Sequence, residues 1–150
     1  MIEGVFQVPL EQFQDERGKV MRMLRVDDVH FRQFGEIYFS WIYAGVIKAW
    51  HKHMVMDVHY CVPLGCVKVV LYDDRKESIT NGQIDKYFLN AERYSLLKVP
   101  CGLWYGFKAI GGREAMVANC STIPYDSQEI IRVPYTESKI PYTWNIDING

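Results

Sequence analysis

Glycine and proline interrupt this chain too often for a helix of ordinary length. Pro9, Gly18, Gly35, Gly65, Pro100, Gly102 and Gly106 fall between short apolar runs. No segment longer than about ten residues carries a helical apolar period, whereas two-residue alternation and β-forming residues recur. Strands are predicted over residues 4–8, 19–26, 36–41, 66–73, 83–89, 96–99 and 114–118, and residues 45–50 lead into another. Residues 27–35 are polar and irregular, with room for one helical turn that Gly35 ends. DERG at 15–18 is a turn signal, DDRKESITNG at 73–82 a loop, and PCGLWYGF at 100–107 a glycine-punctuated loop where backbones approach closely. Short, evenly spaced strands with Gly and Pro between them specify an all-β sandwich or barrel.

At 150 residues the chain is expected to form one domain, 1–150, with no repeat or linker to divide it. A formal charge of −1 gives no reason to expect nucleic acid or an anionic membrane as partner. No apolar run approaches the roughly 20 residues that span a bilayer. The opening MIEGVFQVPLEQF lacks the basic-then-apolar pattern of a signal peptide, so a cytoplasmic location is expected. Cys61, Cys66, Cys101 and Cys120 form no CxxC pair, and apolar neighbours predict buried free thiols. The proline-punctuated tail reads as an extended wrap. Its apolar residues suggest a surface for a second copy, two-fold homodimers being the commonest oligomers.

Three of the four histidines, His51, His53 and His59, lie within nine residues. In a strand, residues two apart share a face, so His51 and His53 project together, with Trp50 and Lys52 on the other side. Asp57 and His59 share that parity if the strand stays regular. A histidine pair aimed into one cavity serves as base, acid or metal ligands. His59 is read as a packed barrel histidine, Trp50 and Trp104 as core, and DDRK at 73–76 as a solvated turn.

The pieces, in their order, resemble the dTDP-4-dehydrorhamnose 3,5-epimerase family. DERG matches its D-x-R-G, and FGEIYFSWIYAGVIKAWH its Phe, polar positions, Ser and G-V-x-R-G-x-H. VVLYDDRKESITNG matches its strand and D-x-R-x-x-S-x-T-x-G, and VPCGLWYGF its I-P-x-G-x-x-H-G-F. STIPYDSQE and IPYTW match its tyrosine before an acidic segment and its I-x-W. The resemblance implies a cupin-type jelly-roll barrel, an intertwined homodimer, and no cofactor. It implies a nucleotide-linked 4-keto-6-deoxy sugar as substrate, dTDP- or CDP-linked, in a cell-envelope polysaccharide pathway. Carried over by position, His51 falls on the catalytic base and Lys48 on an arginine. Arg17 falls on an arginine near the phosphates that reaches a neighbouring subunit, and Tyr125 on a tyrosine beside the nucleotide. Glu36 and Ser40, in the segment before the glycine, and Asn119 are further substrate-binding candidates.

Three departures accompany the match. The family's acid, a tyrosine, aligns with Asn119; the histidine of H-G-F is Tyr105; and the chain ends before the aspartate that orients the family's base. The expectation is therefore epimerisation at carbon 3 alone rather than at carbons 3 and 5. Removal of a proton beside a ketone needs a base with a near-neutral pKa and stabilisation of charge on the ketone oxygen. His51 is the candidate base and Lys48 the stabiliser, although their opposite parity requires a bulge. Tyr105 and His53 are the candidate acids. A second resemblance, to nucleotide-sugar 3,4-ketoisomerases, rests on His51, His53 and Gly65. The alternative from another class is a metal-binding cupin using His51, His53 and Asp57, since two histidines and a carboxylate on one face commonly hold a metal.

Overall fold

The structure is a computed structural model that describes residues 1–137 and 139–147. Twelve strands account for its regular structure, and the described residues contain no helix. They are β1 (Phe6–Pro9), β2 (Gln12–Asp15), β3 (Gly18–Met21), β4 (Glu36–Ile42), β5 (Ile47–His53) and β6 (Val58–Leu64). After these come β7 (Cys66–Tyr72), β8 (Ile84–Asn90), β9 (Ser95–Val99), β10 (Trp104–Ile110), β11 (Ala115–Ser121) and β12 (Ile130–Arg132). Two five-stranded sheets form, in the orders β1-β9-β6-β11-β4 and β12-β5-β10-β7-β8. All their pairings are antiparallel, and β2 and β3 make a separate hairpin.

The sheets share one core. Val58, Tyr60 and Val62 of β6 and Val117 of β11 join Val67, Val69 and Leu71 of β7 and Phe107 and Ala109 of β10. Their two-residue spacing puts them on the inner faces of the two sheets. The outer face of the second sheet is also covered, because Trp50 and Val70 are buried against Trp144, with Ile140 and Tyr142 beside them. The tail thus spends Ile140, Tyr142 and Trp144 on its own sheet, while Ile131 and Ile146 stay exposed. Exposed apolar side chains also stand on and beside the edge strand β4, at Ile37, Phe39, Trp41 and Tyr43.

Other sequence expectations shift. The strand expected over 19–26 stops at Met21, and residues 27–31 make turns rather than a helical turn. Trp104–Ile110, read as part of a loop, is the central strand β10 of the second sheet. Its glycine is required by the ladder: a Cβ on Gly106 would lie 2.5 Å from the Ala49 Cβ and 2.7 Å from Trp144. The expected close approach of backbones is therefore real, but it lies inside a sheet.

DDRK is not a solvated turn. Asp73 is wholly buried and accepts hydrogen bonds from Arg75 Nε at 2.9 Å, Ser78 Oγ at 2.6 Å and Thr80 Oγ1 at 2.7 Å. The Gly82 amide donates to the Asp73 carbonyl. The D-x-R-x-x-S-x-T-x-G piece is thus a cage around one carboxylate that closes the β7–β8 connection. All four cysteines are free, with Cys61 and Cys120 buried and Cys66 and Cys101 partly so.

Candidate active site

Lys48, His51 and His53 reach one cavity because β5 carries a bulge. Tyr105 pairs with His51, but the next residue, Gly106, pairs with Ala49, leaving Trp50 unmatched. An unmatched residue inverts the alternation beyond it. Ala49 and Trp50 therefore pack outward, and Lys48 returns to the side of the histidines. The bulge demanded by the opposite parity of Lys48 and His51 is present.

The cavity, of about 200 Å³, lies between the sheets. One wall, from β5, β10 and β12, bears Lys48, His51, His53, Tyr105 and Arg132; the other, from β4, β6 and β11, bears Tyr38, Ser40, Tyr60 and Asn119. Tyr125 stands at the mouth and is exposed. Of the expected site residues, Lys48, His51, His53, Tyr105, Ser40, Asn119 and Tyr125 are brought together. Arg17 and Glu36 are not. Arg17 sits in the β2–β3 turn, bonded to Asp15 at 2.7 Å, and Glu36 begins β4 without lining the cavity. Tyr38, Tyr60, Arg132 and Glu129 were missed. Their only sequence signals were the β-rich stretch around Tyr38 and the family's acidic segment near Glu129.

His51 is the titratable group most altered by this setting. Burial, then the neighbouring Arg132, His53 and Lys48, pull its pKa from 6.5 down to about 4. It is therefore a neutral imidazole at physiological pH with a lone pair free to accept a proton, but a weaker base than the near-neutral one expected from the sequence. Its Nδ1 is buried without a hydrogen-bond partner, which leaves Nε2 as the nitrogen open to the cavity. Lys48 Nζ donates to the Trp41 carbonyl at 2.7 Å and to Ser40 Oγ at 3.2 Å. An ammonium has three donors, so one remains for a substrate oxygen.

His53 is held at both ends. Nδ1 donates to Glu129 Oε1 at 2.5 Å, and Nε2 accepts from the Tyr105 hydroxyl at 3.0 Å. Glu129 Oε2 also receives the Val55 and Met56 amides. Burial opposes ionisation of Glu129, yet the bonds from His53 and these two amides hold its carboxyl below the usual range. Burial pushes the Tyr105 hydroxyl well above its ordinary value, so it keeps its proton. The Tyr105 ring stacks on His53 and lies 5.3 Å from the His51 ring.

These contacts correct one expectation. The metal reading needs Asp57 beside the two histidines, but Asp57 is bound by Arg32 at 3.0 Å and by the Cys101 amide. His53 has no ring nitrogen free, and among the described residues no three His, Cys, Asp or Glu are placed to hold a metal ion. Tyr105, a candidate acid, projects from the strand next to His51, on the same wall of the cavity. His59 is buried as expected: Nδ1 donates to the Cys120 carbonyl at 2.7 Å, although Nε2 has no partner.

The family model for dTDP-4-dehydrorhamnose 3,5-epimerase matches residues 1–149. The chain belongs to this family. It is therefore an isomerase of the nucleotide-sugar epimerase kind, and its two-sheet fold is that of the cupin-type epimerases. A crystal structure of a dTDP sugar isomerase from Desulfovibrio desulfuricans G20 superposes with a TM-score of 0.93 at 43% identity, over 95% of this chain and 92% of that one. A probable low-salt glycan biosynthesis epimerase of Haloferax volcanii is 35% identical, over 91% of this chain and 90% of its own length. A spore coat polysaccharide biosynthesis protein of Bacillus subtilis is 33% identical, over 98% and 99%. No helix among the described residues of this family member is long and apolar enough to cross a membrane.

Proposed function

We propose that the protein epimerises a nucleotide-linked 4-keto-6-deoxy sugar at carbon 3, with His51 as the base. The observation that carries this reading is the placement of His51, whose Nε2 opens into an interior cavity that Lys48 also lines. Nε2 removes the proton next to the ketone. The remaining Lys48 donor stabilises the enolate oxygen, worth several kcal/mol where water is excluded. His53 and Tyr105, anchored by Glu129, form the rigid wall that keeps the base in place.

The cavity volume of about 200 Å³ suits a sugar ring rather than a whole nucleotide sugar. The nucleotide then lies across the mouth, dTDP or CDP, its diphosphate near exposed Arg132 and its base near Tyr125. Little space remains for the ring to turn and offer carbon 5, which supports inversion at one carbon. The protein forms one domain, acts in the cytoplasm in polysaccharide assembly, and pairs through the apolar side chains of the β4 edge, bringing Arg17 toward a second copy's site. Sedimentation velocity reads that pairing directly.

Incubation in heavy water with dTDP- and CDP-linked 4-keto-6-deoxyglucose, followed by NMR, tests the chemistry. Deuterium at carbon 3 alone, lost in His51→Asn, is the expected result. Deuterium at both carbons makes it a double epimerase, and a carbonyl moved to carbon 3 makes it a ketoisomerase. No exchange in either sugar overturns the reading.

A further inference from the structure

Inversion needs two groups on opposite faces of one carbon. If a base and an acid each stand about 3–3.5 Å from that carbon, they are separated by roughly 6–7 Å across the sugar. The wall bearing His51 cannot supply both. Its candidate acid, Tyr105, stands beside His51 on the neighbouring strand with ring centroids 5.3 Å apart, and its hydroxyl is hydrogen-bonded to His53. The facing wall carries Asn119 where a tyrosine was expected, and an amide is not an acid.

The strand next to Asn119 supplies what position 119 lacks. In the β4–β11 ladder, Tyr38 is the direct register partner of Asn119 and lines the same cavity. Its side chain comes from the first sheet, whereas His51 comes from the second. Tyr38 is 36% exposed, so it stands between the cavity it lines and solvent. Burial raises its pKa, with the Asn119 amide opposing that rise, so the phenol is protonated at neutral pH. The Asn119 Oδ1 accepts from the His59 amide, so the donor end of the amide, Nδ2, is the end that acts on the Tyr38 hydroxyl. That donor beside Tyr38 is placed to stabilise a phenolate when one forms.

We infer that Tyr38 is the catalytic acid, returning a proton from the wall opposite His51, with Asn119 as its positioning residue. The inference rests on the epimerase reading above. His51 Nε2 takes the carbon 3 proton and becomes imidazolium, and the C–H electron pair enters the enolate. The enolate pair then takes the Tyr38 hydroxyl proton on the other face, leaving a phenolate. Solvent at the cavity mouth reprotonates Tyr38 and accepts the imidazolium proton, which restores the resting state.

The experiment is Tyr38→Phe in heavy water with the dTDP-linked 4-keto sugar, following two quantities. One is deuterium exchange at carbon 3 with retention, which needs only the base. The other is formation of the inverted product. The expected result is exchange within threefold of the unsubstituted protein and inversion reduced 100-fold or more, a loss within the range of one proton-transfer group. Binding of dTDP, measured by calorimetry, stays within threefold, as a lost hydroxyl in an intact cavity requires. Inversion that persists in Tyr38→Phe overturns the assignment. So does a parallel fall of exchange and inversion, which makes Tyr38 a shaping residue only. Absence of exchange in the unsubstituted protein overturns the epimerase reading instead.

Discussion

His53 Nδ1 and Glu129 Oε1 stand 2.5 Å apart in buried surroundings, joining the end of β5 to the residue before β12. The second oxygen of the same carboxylate takes the Val55 and Met56 amides. Glu129→Ala leaves these three donors without their acceptor. Urea denaturation should show a loss of about 2–4 kcal/mol, since each stranded buried donor costs roughly 1–3 kcal/mol and relaxation recovers part. Glu129→Gln, which keeps one acceptor oxygen, should lose less.

His51 gives the pH dependence. Its pKa is depressed from 6.5 to about 4, so the acid limb of kcat/KM should fall near pH 4. Removing a positive neighbour by Arg132→Gln should move that limb toward 6.5. The sign for stability follows from proton binding. Between about pH 6.5 and 4 the unfolded chain holds the extra proton, so stability present above 6.5 is lost as pH falls through this window. A denaturation series across it in the unsubstituted protein and His51→Asn would show a shallower slope in the variant.

Gly106→Ala should separate β10 from β5. The added Cβ would lie 2.5 Å from the Ala49 Cβ and 2.7 Å from the Trp144 side chain. The cause is space, as the glycine is not among those with positive φ. Overpacking of this kind costs about 1–3 kcal/mol. A thermal melt should register it, and exchange at carbon 3 should fall too, because β5 carries Lys48 and His51.

Asp73→Asn should act on stability alone. Burial opposes ionisation of Asp73, but hydrogen bonds from Arg75, Ser78 and Thr80 hold its carboxyl far below the usual range. Replacing it leaves the Arg75 charge unpaired, at a cost of about 3 kcal/mol. Asp73 does not line the cavity, so activity per folded molecule should be retained. A parallel loss of specific activity would contradict the purely structural role of this loop.

Much of the fold was legible in the sequence. Alternation marked β8, β-forming residues marked β4, and apolar runs marked β7 and β9, which are buried almost throughout. Trp104–Ile110 escaped because two glycines and a proline resemble a loop locally. Only the partner strand, lying too close for a Cβ at 106, explains the glycine there.

The chain by itself determined that His51 and His53 share a face, because strand periodicity is a property of local backbone. It determined the Asp73 cage as well, since Arg75, Ser78 and Thr80 lie within seven residues of the carboxylate they bind. Only the tertiary structure decided what those histidines do. Glu129, 76 residues from His53 in sequence, ties up one of them, while the bulge at Trp50 brings Lys48 to the other. Tyr38 and Asn119 became neighbours through a ladder between β4 and β11. Pairing across such separations depends on how the sheets close around a common core, and residue spacing does not encode it.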